Sequence, residues 1–346
     1  MLLAILVALA AGCSSSRTVS MDSVRPAAIG FSPEARRILI VDRSRHPDAR
    51  AGTIESILTG ESPDEDIAGV DALIEALRDQ LGYANRFDTA VAAQRLSSPS
   101  AGAAFPTPLE WARVDQLVQA HGADLLLSIE IFDSDFLVTR GRRVVTKTIT
   151  ENSQSRQIEV PEIHAEGVST VTIGIRLYDP KRRDIVDQEL IERKRRWEAA
   201  AATVTEALAA LINKSEATRQ LGRAVGTDYA CKISPMPTRV SRTFYGKSKR
   251  APELEAGGRH ADIADWEGAI EIWQRGLERA PQREAGQLCF NIAVAHEVLG
   301  DWENARRWAE RAYVEYRNDQ AKPYLDALRR RVDREAIAAA QMEQAP

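Results

Sequence analysis

The sequence predicts an α/β sandwich domain, of α+β or α/β class, followed by an all-α domain of helical hairpins. Two continuously apolar runs, residues 37–42 and 123–132, alternate with amphipathic helical patterns, as buried strands of an α/β layer do. Period-two alternation over residues 144–149 and 168–178 then indicates antiparallel strands. The last third has helical periodicity and repeats the pattern Asp-Trp-Glu-x-Ala, which predicts repeated helix pairs.

Composition sets broad limits on the class of protein. The chain has 346 residues, long enough for two domains. With 28% charged and 44% hydrophobic residues it has the composition of an ordinary globular protein. The net charge of −4 supplies no global attraction to nucleic acid, so we expect no nucleic-acid partner.

The N-terminus predicts a secretory signal followed by a tether. Residues 1–12 are almost entirely apolar, but the run is too short for a membrane span, which needs about 20 residues. Residues 13–34 contain Ser, Ala and Pro without periodicity, which is typical of a flexible tether. The signal is therefore assigned to 1–12 and the tether to 13–34.

The α/β domain is assigned to residues 35–228. Its first half predicts strand 37–42, helix 69–81, a short strand at 87–92, helix 109–120 and strand 123–132. The first helix is predicted because apolar residues recur at helical spacing, namely Val70, Leu73, Ile74, Leu77 and Leu81. Loops rich in Gly and Pro separate these elements, at 46–66 and 97–108.

The second half of the domain predicts antiparallel strands and one long helix. Alternation in strand 168–178 places four apolar residues on one face, Val171, Ile173, Ile175 and Leu177. A turn at 179–184 leads into a return strand at 185–197. Residues 199–224 are predicted to form a helix with an apolar stripe of Val204, Leu208, Leu211 and Ile212. Residues 229–248 then form a connecting segment.

The helical domain is assigned to residues 249–340. Within it Asp265-Trp-Glu-Gly-Ala269 recurs as Asp301-Trp-Glu-Asn-Ala305. The repeat resembles the tetratricopeptide family, whose first-helix asparagine is matched by Asn291. The family's small, aromatic and helix-ending positions are matched by Ala269, Trp273, Gly276, Pro281, Gly300, Ala305 and Ala312. A further helix over 320–341 is predicted to cap the array.

The end of the apolar run, Leu9-Ala10-Ala11-Gly12-Cys13, resembles the lipobox of bacterial lipoproteins. The resemblance implies cleavage before Cys13, a diacylglycerol on its sulfur and an acylated new N-terminus. Two or more acyl chains give stable membrane anchoring. Ser14 follows the cysteine, where an Asp would imply retention in the inner membrane, so the resemblance implies the outer membrane.

Further segments of note lie along the mature chain, namely Leu109-Glu-Trp-Ala-Arg-Val114, Ala123 to Asp135, Arg176-Leu-Tyr-Asp-Pro180, Ile233-Ser-Pro235, Val240 to Tyr245 and the Asp-Trp repeats. Together they resemble a family of outer-membrane lipoproteins with no assigned function, and the resemblance covers nearly the whole mature chain. It implies an N-terminal α/β domain and C-terminal tetratricopeptide repeats. The order of the α/β elements is also similar to periplasmic domains of curli-secretion-type and penicillin-binding-protein-activator lipoproteins.

Motifs of known chemistry are absent from the sequence. There is no phosphate-binding G-x-x-x-x-G-K-[ST], no H-E-x-x-H and no G-x-S-x-G. The histidines are scattered, and His121, His260 and His296 are interpreted as structural. We expect no cofactor and no bound metal.

One acidic cluster is the exception that favours an enzyme. Glu130, Asp133 and Asp135 follow a buried strand, where α/β domains often place their sites. Paired carboxylates can bind a divalent cation or act as acid and base. The alternative is a polar strand end, and simple alternation places Glu130 and Asp133 on opposite faces.

Three further features favour binding over catalysis. The first-helix positions of the repeats define a candidate partner groove of Leu254, Gly258, Phe290, Asn291, Val294 and Glu297. Basic runs at Arg140-Gly-Arg-Arg143 and Arg193-Lys-Arg-Arg196 are candidates for contact with lipid headgroups, or are solvated faces. Cys231 and Cys289 either pair in an oxidising compartment or remain separate buried thiols, which we favour.

The sequence therefore predicts a non-enzymatic interaction protein, anchored to the outer membrane by Cys13 with its body in the periplasm. Its helical repeats would bind protein partners. An envelope hydrolase or metal-dependent enzyme is the first alternative, and a curli-secretion-type or penicillin-binding-protein-activator-like assembly factor is the second.

Overall fold

The structure is a computed structural model that describes residues 16–44, 63–97, 105–151 and 154–343. The chain divides into two units. The helical unit comprises Met1–Pro26 and Pro237–Ala340, and the sheet unit comprises Ala27–Met236 and Gln341–Pro346. Cys13 and the predicted signal lie outside the described residues.

The elements of the sheet unit follow one another in the order β-α-β-α-β-β-β-α-α. Their bounds are β2 (Arg37–Asp42), α1 (Pro63–Ala84), β3 (Asp88–Val91), α2 (Trp111–His121), β4 (Leu125–Glu151), β5 (Gln154–Asp179), β6 (Asp184–Ala201), α3 (Val204–Ala210) and α4 (Lys214–Ile233). The strand β1 (Ser16–Arg25) precedes them and belongs to the helical unit.

Strands β2 to β6 form a five-stranded sheet within the described residues, in the order β3-β2-β4-β5-β6. β2 pairs in parallel with both β3 and β4, so the chain crosses from one side of β2 to the other. β4, β5 and β6 are antiparallel. The strand order reverses between β2 and β4, and open α/β sheets commonly bind ligands at the carboxyl ends of the strands at such a topological switch point.

Helices cover both faces of the parallel part of the sheet. α1 and α4 pack on one face, against alternate strand residues such as Ile38, Ile40 and Leu127. α2 packs on the other face, against Leu39, Val41, Leu126 and Tyr178. Burial on both faces explains why β2 and the start of β4 are continuously apolar in sequence.

α1 and α4 pack closely because α4 carries glycines at their contact. A Cβ atom at Gly222 would lie 2.4 Å from the Gly69 carbonyl oxygen, and one at Gly226 would lie 2.3 Å from that of Leu73. No side chain larger than hydrogen fits at these two positions. The glycine spacing therefore sets the distance between the two helices.

β4 and β5 form one long hairpin, which the sequence divided into separate short strands. Their pairing runs from Leu126↔Tyr178 to Glu151↔Gln154. β6 pairs with β5 only from Ile163↔Ala201 onward. Residues 143–151 and 154–162 thus form a two-stranded extension beyond β6, here called the ribbon.

The predicted long helix over 199–224 is wrong. β6 continues to Ala201, the short helix α3 follows, and α4 begins at Lys214. Thr203 and Glu206 form a capping box that starts α3, and the Asn213 side chain accepts a hydrogen bond from the Glu216 N–H to start α4. These capping signals divide the segment despite its high alanine content, and Leu208 of the predicted stripe is exposed.

The C-terminal region is all-helical after a single strand. Its elements are β7 (Met236–Tyr245), α5 (Glu253–Asp262), α6 (Trp266–Leu277), α7 (Gln282–Val298), α8 (Trp302–Val314) and α9 (Ala321–Met342). Consecutive helices from α5 to α8 pack against one another. Their core contains Leu254, Trp273, Leu288, Ile292 and Leu328, among other buried residues.

The hairpins α5–α6 and α7–α8 have the same turn geometry. A residue with positive φ ends each turn, Ala264 at 61° and Gly300 at 75°. Asp265 and Asp301 then cap the second helices by accepting hydrogen bonds from the N–H groups of Gly268 and Asn304. The sequence repeat therefore corresponds to a structural repeat.

The predicted tether and connecting segment contain strands instead of irregular chain. β1 lies in the segment assigned as tether (13–34), and β7 lies in the connecting segment (229–248) together with the end of α4. β1 and β7 pair in a two-stranded sheet on the helical unit. The inward-facing residues of β1 include the polar Arg17 and Ser23 as well as the apolar Val19 and Met21. The hydrophobic pattern of the sequence therefore does not predict that this segment is a partly buried strand.

Asp301 caps α8, and its removal should destabilise the helical unit. The hydrogen bonds from the Asn304 side chain and backbone lower the pKa of the Asp301 carboxyl below its usual 3.8. We expect Asp301→Ala to lower the unfolding temperature by about 2–4 °C at pH 7, measured by circular dichroism.

Asp301→Asn is the matched variant, because asparagine caps helices as well as aspartate does. A lowered folded pKa stabilises the fold above pH 3.8, and this contribution disappears as pH falls through the folded value. Asp301→Asn should therefore unfold near the wild-type temperature at pH 7 and lose less stability on acidification. An Asp301→Ala variant as stable as wild type would contradict the capping role.

Candidate functional site

A buried polar cluster lies at the carboxyl ends of β2 and β4, where the strand order reverses. Arg43 directly follows β2, and Glu130 lies six residues into β4. The Arg43 N–H donates to the carbonyl of Ile129, which extends the parallel pairing to this point. Arg176 and Tyr178 join from β5, and these four residues are here called the Glu130 cluster.

The Glu130 carboxylate is enclosed by two arginines and a tyrosine. Arg43 Nη1 lies 2.9 Å from Oε2, and Arg176 Nη1 lies 3.7 Å from Oε1. The Tyr178 hydroxyl donates to Oε1 over 3.3 Å. The side chain of Glu130 has no exposed surface, and those of Arg43 and Arg176 are 7% and 4% exposed.

The same side chains hold the segment that leads into α2. Arg43 donates to the carbonyl of Thr107 over 3.0 Å, and Arg176 donates to that of Pro106 over 2.6 Å. The Tyr178 hydroxyl accepts from the Leu109 N–H over 3.1 Å. The cluster therefore fixes the entry to α2 as well as the end of the sheet.

Burial governs the protonation of this cluster. It raises the pKa of the Glu130 carboxyl, and the charges of Arg43 and Arg176 oppose that shift. Burial also raises the pKa of the Tyr178 phenol, which keeps the hydroxyl protonated as a donor. The contacts with two arginines and a phenol therefore fix the position of the Glu130 carboxylate.

The structure does not assemble the predicted acidic cluster. A β-bulge occurs at Glu130, between the pairs Ile129↔Ile175 and Ile131↔Gly174. Beyond it Asp133 and Asp135 pair with Thr172 and Thr170 and are exposed, whereas Glu130 is buried among arginines. Among the described residues, no group of three or more His, Cys, Asp or Glu side chains could hold a metal ion.

The candidate partner groove is covered by the protein's own strands. Its six residues are all buried, namely Leu254, Gly258, Phe290, Asn291, Val294 and Glu297. Asn291 exchanges hydrogen bonds with the backbone of Tyr245, over 2.8 Å and 2.7 Å. Gly258 accepts a hydrogen bond from Arg17 of β1 through its carbonyl oxygen. An extended partner peptide therefore finds these positions already occupied.

Glu297 is the centre of this occupied groove. Arg242 of β7 donates to both carboxylate oxygens over 2.9 Å, and Arg331 of α9 donates to Oε1 over 2.9 Å. Arg331 also donates to the Asp22 carbonyl of β1 over 2.9 Å. The first-helix positions alone do not reveal this occupancy, because the occupying residue, Arg242, lies outside the repeats.

The basic runs lie on exposed strand surface and are interleaved with acidic side chains. Arg196 pairs with Glu166 at 3.2 Å, Lys194 pairs with Glu192 at 2.8 Å, and Arg193 pairs with Asp228. Arg143 contacts His164 at 3.1 Å. These neighbours match the solvated-face interpretation of the runs.

Cys231 and Cys289 are free thiols. Cys289 is buried in α7, and burial raises the pKa of its thiol to about 12. A thiol with that pKa has little thiolate at neutral pH and is a poor nucleophile. Cys231 is half-buried beside the core of the sheet unit.

Three histidines, His121, His260 and His296, have structural contacts. His121 Nδ1 lies 2.9 Å from the Leu117 carbonyl oxygen at the end of α2. His260 and His296 contact the capping residues Asp265 and Asp301, at 2.6 Å and 3.3 Å. Burial lowers the pKa of His296, so the imidazole is neutral over more of the physiological pH range.

A mixed sheet layered between helices, followed in sequence by helical hairpins, defines a protein with one α/β unit and one helical unit. A family profile described as a domain of unknown function, DUF8603, matches residues 35–245, and the chain belongs to that family. A second profile, also a domain of unknown function, DUF6340, matches residues 255–330. No curated protein matches the chain.

Solved structures of low similarity match the chain as well. One is a PelC dodecamer from Paraburkholderia phytofirmans, at 10% sequence identity and a TM-score of 0.25, covering 63% of this chain and 98% of that one. A single-substitution variant of the same dodecamer matches at 12% identity and a TM-score of 0.23, covering 61% and 96%. In the described residues, no helix is both long and apolar enough to cross a membrane.

Replacing Glu130 should destabilise the sheet unit strongly. Glu130→Leu leaves two buried arginines without their carboxylate, which typically costs about 3–5 kcal/mol. Asp133→Asn is the control, since an exposed substitution should change the free energy of unfolding by no more than about 0.5 kcal/mol. Urea unfolding followed by circular dichroism measures both, and equal stability of the two variants would contradict the structural role of the cluster.

Proposed function

We propose that the protein is a lipoprotein of the outer membrane, anchored through Cys13, that acts as a non-catalytic interaction protein in the periplasm. The observation that carries the proposal is the apolar run ending in Leu9-Ala10-Ala11-Gly12-Cys13. An acyl chain contributes about 0.8 kcal/mol per buried CH₂, so two or more chains hold a protein at a membrane stably.

The helical unit supports an interaction role. We assign α5–α6 and α7–α8 as tetratricopeptide-type repeats, on the shared turn geometry and the small residues at helix contacts. A Cβ at Gly276 would lie 2.9 Å from Glu253 Cβ, and Ala269, Ala305 and Ala312 have no exposed surface. Because β1 and β7 cover the first helices, the helical unit would act as a rigid carrier, and the partner would bind the sheet unit.

The ribbon of the sheet unit is the partner surface that we favour. β6 does not extend along residues 157–162, so this edge of β5 has no partner strand among the described residues. On this edge Ile158 and Val160 are separated by Glu159, and on the neighbouring strand Val144 is 62% exposed. An unpaired edge with alternating apolar side chains can accept a strand from another protein.

The anchor is tested by fractionation. Cys13→Ala should move the protein from the outer-membrane fraction to the soluble periplasm, because the acyl chains can no longer be attached. Cys231→Ser is the control and should stay with the membrane. Quantitative immunoblotting of separated membranes measures the change, and retention of Cys13→Ala in the outer membrane would place the anchor elsewhere.

The partner surface is tested by crosslinking in cells. Val144 and Val160 lie on opposite faces of the ribbon. Val160 pairs with Val145 and so shares its face, and the neighbouring residue Val144 points to the other face. A charge at one of these positions should reduce the yield of the crosslinked partner at least fivefold and so identify the bound face.

The variants are Val144→Glu and Val160→Glu, with Val314→Glu as the control because Val314 is 74% exposed in the helical unit. Mass spectrometry of the crosslinked products identifies the partner and measures its yield. If neither ribbon variant lowers the yield while Val314→Glu does, the partner binds the helical unit.

A further inference from the structure

Hydrogen bonds and an ion pair hold β1 on the helical unit along the length of the strand. Arg17 donates to the Gly258 carbonyl over 3.1 Å and pairs with Asp262, both in α5. Met21 is buried, and the next residue, Asp22, accepts a hydrogen bond from Arg331 through its carbonyl. Ser23 donates to Glu335 of α9 over 2.8 Å. The strand thus has a fixed direction, from the end of α5 toward the end of α9.

The distance between the proposed anchor and this strand is short. Cys13 precedes Ser16, the first residue of β1, by three positions. Three residues span at most about 10 Å even when fully extended. A lipid attached at Cys13 would therefore hold the start of β1 within about 10 Å of the bilayer surface.

An exposed aliphatic side chain lies next to this point. Ile263 forms part of the turn between α5 and α6 and is 76% exposed. It follows Asp262, which pairs with Arg17 at the start of β1. The opposite end of β1 contacts α9 at Glu335, close to Ile337, which is 51% exposed. Six residues of strand separate Arg17 from Ser23, a rise of about 20 Å.

We infer that the α5–α6 turn is the membrane-facing end of the helical unit, with Ile263 in contact with the lipid headgroup region and the Ile337 end directed away. This inference rests on the proposed lipidation of Cys13 and adds to it the surface that meets the bilayer. The short link from Cys13, the hydrogen-bonded strand β1 and the exposed Ile263 together support this orientation.

The test places a photocrosslinking amino acid, benzoylphenylalanine, at Ile263 or at Ile337 in the full chain. Outer-membrane vesicles carrying the protein are irradiated, and lipid adducts are measured by mass spectrometry. We expect at least fivefold more adduct from position 263 than from position 337. Both positions are exposed, so the substitution does not disturb the core.

A linker variant separates anchoring from orientation. Twenty Gly and Ser residues inserted between Ser15 and Ser16 have a root-mean-square span of about 25 Å. The protein should stay in the membrane fraction, but the preference for position 263 should disappear. The mass of the N-terminal peptide reports independently whether Cys13 carries lipid.

These readouts distinguish failure of the proposed orientation from failure of the proposed anchor. A lipidated protein with equal adduct at both positions, or with more at 337, overturns the orientation and leaves the anchor intact. An N-terminal peptide without lipid overturns the proposed anchor, and the orientation falls with it. A lipidated protein whose preference survives the long linker shows that the turn binds lipid by itself, which overturns the role of the short link.

Discussion

The helical unit depends on one buried carboxylate held between two arginines. Glu297 accepts from Arg242 of β7 and Arg331 of α9, and Arg331 continues to the backbone of β1. Desolvating three charges is costly, so the network holds only when every member is present. The requirement that all partners be present makes β1, β7, α7 and α9 one structural unit instead of separable pieces.

The sheet unit uses the same arrangement at its own centre. Glu130 lies between Arg43 and Arg176, and the two arginines also bind the carbonyls of the segment before α2. In both units the sequence placed a glutamate at a candidate functional position, Glu130 at a strand end and Glu297 in the repeat groove. In the structure each of them connects neighbouring elements. These two glutamates therefore connect elements within their own units, and neither is exposed to a ligand.

Much of the fold was predictable where one local signal dominates. Strand 37–42 follows from a continuous apolar run. Helices 69–81 and 109–120 and the helical hairpins after residue 249 follow from helical periodicity over consecutive residues. The prediction of one helix over 199–224 is wrong because Thr203 and Asn213 start two separate helices there, and helix propensity alone does not indicate such caps. β1 and β7 were missed because their inward positions include Arg17 and Arg242, whose burial depends on partners distant in the sequence.

The sequence by itself determined the two-part organisation and the order of elements from strand 37–42 to strand 123–132, because these follow from local patterns of consecutive residues. The tertiary structure decided which polar residues are enclosed. Glu130 is enclosed by two arginines whereas Asp133 and Asp135 are exposed, and the groove of the helical unit is filled by β7. Burial of a charge depends on partners brought together only by folding, so spacing alone cannot assign it.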